Sequence, residues 1–219
     1  AKNVARRDGM GTTLLSAVEV IGRIPDAYFQ AVGSGTGAIA AWENAARLAA
    51  DGRFGENKMR IYASQNAPFT IMYDSWKAHS RELVPMTPEE GRQNSEVILG
   101  KVLSNRKPPY SLAGGLFDVL EKSGGDMFKV SNDEIVSWVV KYFSLEGYDL
   151  FPASACAVSS LKQALDAGIV KHDETVMLNV TGGGMLGATR KGFILKEPDL
   201  ILSPDLPAEE IIAAVDKLF

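Results

Sequence analysis

Two kinds of apolar pattern alternate along the chain, namely short β-rich runs and longer runs with helical spacing. Helical spacing predicts a helix over residues 12–21, which ends at Gly22, and a buried helix over residues 38–50. Continuous apolar runs predict strands over residues 28–32, 59–64, 127–130 and 175–180. Such alternation is typical of an α/β fold, and we expect three α/β/α layers around a mostly parallel sheet.

Helix beginnings in the middle of the chain are marked by a hydroxyl residue with glutamate three positions later. Thr87 with Glu90 and Ser131 with Glu134 have this spacing, which lets each side chain satisfy a backbone N–H of the other residue. We therefore predict helices over residues 88–104 and 132–146. Proline-led and intervening apolar patterns predict further helices over residues 68–80, 112–122, 152–167 and 207–218.

Composition narrows the classes of function. The 219 residues carry 23 Lys and Arg against 27 Asp and Glu, a formal net charge of −4 without a basic block, so we expect no nucleic-acid partner. One cysteine and two histidines cannot form an internal disulfide or the usual zinc site, and we predict no bound metal. No apolar run reaches the roughly 18 residues of a membrane helix, and no signal peptide is evident. The sequence predicts a cytoplasmic protein without a membrane partner.

A run of small residues follows the first predicted strand and precedes the second predicted helix; its members are Gly33, Ser34, Gly35, Thr36 and Gly37. Backbone N–H groups at a helix start attract anions, and glycine lets an anion approach them closely. This glycine loop, residues 33–37, is therefore a candidate phosphate site to which the two hydroxyls add donors. The alternative is a tight turn without a ligand.

Three kinds of phosphate site compete for this loop. No lysine follows it before Lys58, which excludes the P-loop. The dinucleotide-binding fingerprint fits the loop, with Ala38 in its last position. The next strand ends near Asn66 without the acidic residue that would bind the ribose. A nucleotide-binding oxidoreductase is therefore less favoured but stays an alternative. A pyridoxal phosphate site needs a second group that faces the ring nitrogen. Thr181, at the end of an apolar strand, offers a neutral hydroxyl there, although it also suits an ordinary turn.

Several stretches together resemble the threonine synthase group of fold-type II pyridoxal phosphate enzymes. They are the glycine loop and residues 123–125, 130–134, 152–155 and 179–184. The resemblance implies that residues 1–219 form a single α/β cofactor-binding portion, the C-terminal large-domain portion of such an enzyme. It also implies that pyridoxal 5′-phosphate is the cofactor. The glycine loop would then hold the cofactor phosphate and Thr181 would contact the ring nitrogen.

Within that group the chain resembles the cysteate synthases in residues 3–12, 29–37 and 104–110. This resemblance implies that sulfite replaces the phosphate of O-phosphoserine to give L-cysteate and phosphate, a step towards coenzyme M in methanogenic archaea. Threonine synthesis from phosphohomoserine is the alternative within the group. The candidates for binding the anionic substrates are Arg6, Arg7 and Arg106, which equally suit a solvated surface.

One part of the group's pattern is missing. These enzymes hold the cofactor covalently on a lysine in a Ser-x-Lys segment before the glycine loop, and no such segment precedes the loop here. Ser160 and Lys162 have the same spacing but lie after the loop on a predicted helix face, so we assign no catalytic residue to this chain. We expect about half of an enzyme, inactive alone, whose exposed apolar surface favours a homo-oligomer.

Overall fold

The computed structural model describes residues 3–194 and 196–219, without the side chains of Gly187 and Ala188. It divides the chain into two compact units, Ala1–Gly184 and Met185–Phe219. Within the described part of the chain, no helix combines the length and the apolar character that crossing a membrane requires.

The first unit alternates strands with helices, as the apolar pattern predicts. Its elements are α1 (Val4–Ile21), β1 (Ala27–Ala31), α2 (Thr36–Asp51), β2 (Arg60–Asn66), α3 (Ile71–Lys77), α4 (Pro88–Val97), a 3-10 turn (Lys101–Leu103), α5 (Leu116–Ser123), β3 (Asp126–Val130), α6 (Asn132–Glu146), α7 (Pro152–Asp166) and β4 (Val176–Leu178). The second unit contains α8 (Met185–Arg190) and α9 (Ala208–Asp216).

The four strands form one sheet in the order β3-β2-β1-β4, and every neighbouring pair is parallel. Ala27 of β1 lies opposite Arg60 on one side and Val176 on the other. Since parallel strands run in one direction, their carboxyl ends share one edge of the sheet. The prediction of a mostly parallel sheet is confirmed.

Helices cover both faces of this sheet. On one face Tyr28 and Ile61 pack into a buried core with residues of α1, α2 and α5. On the other face Phe29 and Tyr62 stack with ring centroids 4.7 Å apart and pack against Ala164 of α7. Side chains of consecutive strand residues point to opposite faces, so a strand in a three-layer structure must be apolar on both. This explains the continuous apolar runs in the sequence.

Local signals explain where the helices agree with the prediction, and long-range contacts explain where they differ from it. Both capping boxes form, with the Ser131 N–H donating to Glu134 Oε2 at 2.7 Å, and α6 has the predicted bounds. The predicted helix over residues 68–80 begins only at Ile71, because Gln65 Oε1 of β2 accepts hydrogen bonds from the first turn. The helix predicted over residues 88–104 ends at Val97, where side chains of β2 and α6 bind the next N–H groups.

Candidate functional site

The glycine loop and the residues after β4 lie at the same edge of the sheet. β1 leads into the glycine loop, and β4 leads into residues 181–184, here called the threonine segment. The pairing of β1 and β4 continues past the strands, since the Asn179 N–H donates to the Phe29 carbonyl at 2.9 Å. The carboxyl edge of a parallel sheet is where α/β proteins bind ligands, so both candidate segments are in the expected place.

The glycine loop forms the amino end of α2. Gly35 is the N-cap residue with φ of +76°, a conformation that glycine adopts without the strain of a Cβ, and it makes no side-chain capping bond. The hydroxyls of Ser34 and Thr36 lie 2.9 Å apart and hydrogen-bond to each other. A helix start with small residues and two hydroxyls has the donor set that a phosphate group requires.

Close packing also requires two of these glycines. A Cβ at Gly33 would lie 2.7 Å from the Val102 carbonyl oxygen, and a Cβ at Gly37 would lie 2.7 Å from both amide atoms of Gln30. Both distances are shorter than van der Waals contact. The first contact also shows that the glycine loop lies directly against the segment of residues 99–103, here called the wall segment.

A cavity of about 330 Å³ lies between the wall segment and the threonine segment. Its lining consists of Leu99, Gly100, Lys101, Val102, Phe151, Pro152, Ala153, Ser154, Thr181 and Gly182. Thr181 is exposed and contributes to this lining, whereas the glycine loop contacts the cavity wall from behind through Val102. The volume is within the range of small-molecule sites.

Ser154, in the first turn of α7, holds the threonine segment. Its buried hydroxyl accepts a hydrogen bond from the Gly182 N–H at 2.9 Å and lies 2.8 Å from the Gly182 carbonyl, to which it donates. Gly184 N–H donates to the Asp149 carbonyl at 2.8 Å, which fixes the other end. These contacts determine where the Thr181 side chain reaches the cavity.

Two asparagines hold the wall segment. Oδ1 of the fully buried Asn66, the last residue of β2, accepts a hydrogen bond from the Gly100 N–H at 2.9 Å. Oδ1 of Asn132, the first residue of α6, accepts from the Leu99 N–H at 3.1 Å, and the two side chains bond each other at 3.0 Å. The strand end that would carry a ribose-binding acid in a dinucleotide site is therefore occupied by an amide that binds protein backbone.

The predicted anion-binding arginines lie outside this cavity in the part of the chain that the structure describes. Arg7 donates to Glu43 of α2 at 3.0 Å. Arg106 lines surface cavities of about 690 Å³ and 580 Å³, and Arg6 lines another of about 410 Å³. The cation that does line the candidate cavity is Lys101, whose Nζ donates to carbonyls at the end of α4. No motif marks Lys101, because only the fold brings it there.

Two residues without a predicted catalytic role, Cys156 and Lys162, lie in environments that suit a structural role. Cys156 of α7 is fully buried, burial raises the pKa of its thiol to about 12, and its Sγ lies 3.7 Å from Ser64 Oγ. A thiol with so high a pKa is a poor nucleophile at neutral pH. Lys162 binds Asp166 one turn further along α7 on the exposed side. Neither residue lines the candidate cavity.

A family model decides between the kinds of phosphate site. The model described as "Pyridoxal-phosphate dependent enzyme" matches residues 1–182. The chain belongs to this family. The residues fit the family's cofactor, since pyridoxal phosphate carries one phosphate and one ring nitrogen, and the chain has a helix-start glycine loop and a neutral hydroxyl at one sheet edge. A neutral hydroxyl can bond a pyridine nitrogen without requiring it to be protonated.

The chain is similar to curated cysteate synthases. It is 44% identical over 214 residues to the cysteate synthase of Methanosarcina acetivorans, which is 96% of this chain and 51% of the relative. It is 51% identical over 185 residues to the cysteate synthase of Methanoculleus marisnigri, which is 84% of this chain and 43% of the relative. The chain thus spans about half the length of the curated relatives it matches.

Solved structures share the fold of this chain. Serine racemase from Dictyostelium discoideum matches with a TM-score of 0.61 and 16% identity over 83% of this chain and 51% of the other. Threonine deaminase isoform 2 from Solanum lycopersicum, in its processed form, matches with a TM-score of 0.59 and 14% identity over 84% and 48%. The predicted fold class is confirmed by these matches together with the parallel sheet.

Proposed function

We propose that this chain forms the part of a cysteate synthase that holds the cofactor's phosphate and ring nitrogen. The glycine loop binds the phosphate, and Thr181 bonds the ring nitrogen. The observation that carries the proposal is that these two donor groups follow neighbouring parallel strands, that Thr181 lines one small cavity and that the glycine loop packs against the wall of the same cavity. The similarity to two cysteate synthases supports the choice of reaction.

The proposed reaction exchanges one anion for another on the β-carbon of serine. The Cβ–O bond of O-phosphoserine breaks, and the leaving phosphate takes the bonding electrons. A lone pair of the sulfite sulfur forms the new Cβ–S bond, and the proton of hydrogen sulfite goes to phosphate, so charge and atoms balance without an oxidant. Pyridoxal phosphate, when bound, supplies an electron sink for carbanion chemistry at the amino acid.

The chain's own residues bind, orient and shield the reactants. Backbone N–H groups of the glycine loop and the start of α2 hold a phosphate by charge and hydrogen bonds. The wall segment and Phe151 exclude water from one side of the cavity. Lys101 supplies the positive charge that a dianionic substrate needs, and Arg106 shares a neighbouring cavity with Lys101. We propose that Arg6 and Arg7 act only at longer range, on the approach of anions.

Reconstitution tests the proposed reaction. The chain would be joined to the half of the Methanosarcina acetivorans relative that it does not match, and supplied with pyridoxal phosphate, O-phosphoserine and sulfite. We expect equal amounts of L-cysteate and phosphate, and much less of both from a Thr181→Asp variant, whose carboxylate would require a protonated ring nitrogen. Turnover of phosphohomoserine to threonine, in place of cysteate formation, would assign the chain to threonine synthesis instead.

We also propose that the chain self-associates, as the sequence led us to expect. Val136, Val140 and Leu145 are more than half exposed on α6, which is an unusual position for three large apolar side chains on one helix. Sedimentation of the purified chain should show a dimer or larger species that Val140→Lys weakens. A monomer at micromolar concentration would contradict this. The cytoplasmic location stays a prediction of the sequence, which fractionation of the source cells would test.

A further inference from the structure

A buried tyrosine hydroxyl connects a residue next to the glycine loop with a residue just before the threonine segment. Tyr28, in β1, has no exposed surface, and its hydroxyl donates to Gln30 Oε1 at 2.9 Å. The same hydroxyl accepts a hydrogen bond from Asn179 Nδ2 at 2.6 Å. One oxygen thus links a side chain of β1 to a side chain just beyond β4.

One end of this link contacts the glycine loop, and the other end lies two residues before Thr181. The Gln30 amide lies so close to Gly37 that a Cβ there would be 2.7 Å away, so a displacement of Gln30 displaces the glycine loop. Asn179 lies two residues before Thr181, and its backbone N–H is fixed to the Phe29 carbonyl. The spacing between the phosphate site and the ring-nitrogen site therefore depends on the Tyr28 hydroxyl.

Core packing alone does not require this hydroxyl. Phenylalanine would fill nearly the same volume, whereas a buried hydroxyl costs free energy unless its hydrogen bonds are made. Burial raises the pKa of Tyr28, which outweighs the lowering by the Asn179 hydrogen bond, so the group stays neutral and keeps its proton for Gln30. A polar group that is buried, neutral and doubly bonded fixes a geometry more strictly than apolar contacts do.

We propose that Tyr28 is a positioning residue of the cofactor site, which acts through Gln30 and Asn179 to set the distance between the glycine loop and Thr181. This inference rests on the proposed function, because that function assigns the two segments to a single ligand. Tyr28 itself is not among the described residues that line the cavity. Its contribution is expected only for ligands that bridge both segments.

The chain offers a matched control for the loss of this hydroxyl. Tyr110 is also fully buried, belongs to the same core, and donates its hydroxyl to the Ser80 carbonyl at 3.0 Å. Tyr28→Phe and Tyr110→Phe each remove one buried hydroxyl, so both should lower the melting temperature. Only Tyr28→Phe removes a bond between the two proposed contact segments.

The binding test uses two probes on the 219-residue chain by calorimetry. The first, 4′-deoxypyridoxine 5′-phosphate, has a phosphate and a ring nitrogen but no aldehyde, so it cannot react with lysines. The second is inorganic phosphate, which can reach only one segment. We expect Tyr28→Phe to weaken binding of the first probe about five- to tenfold and to leave phosphate within about twofold, since both hydrogen bonds of one buried hydroxyl are lost. Tyr110→Phe should leave both within about twofold.

The possible outcomes test the positioning role of Tyr28 and the proposed cofactor site separately. Equal changes in the two variants, or no change in either, would overturn the positioning role and leave the proposed cofactor site intact. Failure of the unsubstituted chain to bind the first probe would overturn the cofactor site and the positioning role together. If Tyr28→Phe does not fold, Asn179→Asp keeps the side-chain shape without the donor. It should then show the same selective loss for the bridging probe.

Discussion

The glycine loop and the threonine segment lie at one edge of the sheet but are supported in different ways. The glycine loop is packed so tightly that Gly33 and Gly37 leave no space for a Cβ. In the threonine segment, a Cβ at Gly182 would lie 2.9 Å from a ring carbon of Phe151 and a Cβ at Gly184 would clash with the Asp149 carboxylate, whereas a Cβ at Gly183 would meet its nearest neighbour only at 3.9 Å, and Thr181 is exposed. Gly33 packs against backbone of the wall segment, whereas Gly182 and Gly184 pack against side chains, and a few hydrogen bonds with Ser154 and the Asp149 backbone hold the threonine segment.

Because of this difference, we expect substitutions in one segment to change the stability of the fold and substitutions in the other to change ligand binding. Substitutions in a close-packed loop act on the whole fold, because a native interior has no room to absorb an added group. Substitutions in an exposed segment held by few hydrogen bonds leave the fold intact and change what the segment can bind. We therefore expect the free energy of unfolding to respond strongly at the glycine loop and weakly at Thr181.

The largest effect on stability is expected for Gly33→Ala. The new Cβ would lie 2.7 Å from the Val102 carbonyl, a backbone atom that cannot move alone, so the free energy of unfolding should fall by about 2 to 3 kcal/mol. Urea denaturation monitored by circular dichroism measures this loss of stability. Gly183→Ala is the matched control and should change stability by less than about 0.5 kcal/mol. Equal losses in the two variants would remove the distinction between the segments.

A smaller effect is expected for Asn66→Ala, which removes the support of the wall segment. The Gly100 N–H and the Val130 carbonyl would each lose a buried partner, which should cost about 2 kcal/mol. Hydrogen exchange at the Gly100 amide should accelerate together with the loss of stability. The half-buried Asn105, whose Oδ1 accepts from the Lys107 N–H, provides the control Asn105→Ala. An unchanged exchange rate at Gly100 would show that other contacts hold the wall.

Ser154→Ala should have a more local effect on the threonine segment. Gly182 would lose the hydroxyl that pairs with both its N–H and its carbonyl, at a cost of about 1 kcal/mol. Exchange of the Gly182 amide should accelerate, and exchange in the glycine loop should not change. Ser160→Ala, which removes one buried bond to the Ala157 carbonyl within α7, controls for the loss of a serine hydroxyl. Accelerated exchange in both segments would contradict their independent support.

The smallest effect on stability is expected for Thr181→Val. The side chain is exposed and the shape is kept, so the free energy of unfolding should stay within about 0.5 kcal/mol of the original. Binding of 4′-deoxypyridoxine 5′-phosphate should nevertheless weaken several-fold, because the ring nitrogen loses its partner, whereas inorganic phosphate should bind unchanged. Unaltered binding of both probes would remove Thr181 from the site.

Local signals in the sequence were sufficient for much of the fold. The Ser131 and Glu134 capping box lies within one turn, and it fixed the start of α6 correctly. Helix ends that depend on distant partners were missed, as at α4, where Asn66 and Asn132 bind the chain after Val97. No periodicity reports such contacts, because the residues that make them are far apart in the sequence.

The residues of the candidate site were also predicted where the signal is local and missed where it is not. The glycine loop and Thr181 were named from strand-end patterns, and the structure brings both to one edge; their contact with the cofactor stays a proposal. Lys101, Ser154 and the Tyr28 hydroxyl were not named, because their positions depend on pairing between segments distant in sequence. A buried tyrosine in a strand looks like any other core residue until its partners are known.

The most direct test of the central claim is an NMR titration of the ¹⁵N-labelled chain with 4′-deoxypyridoxine 5′-phosphate. The central claim is that one phosphorylated pyridine ligand bridges the glycine loop and the threonine segment. We predict saturable amide shifts at residues 33–38 and 181–182, with one ligand per chain and the same affinity at both segments. Shifts at only one segment, different affinities at the two, or shifts confined to other surfaces would contradict it.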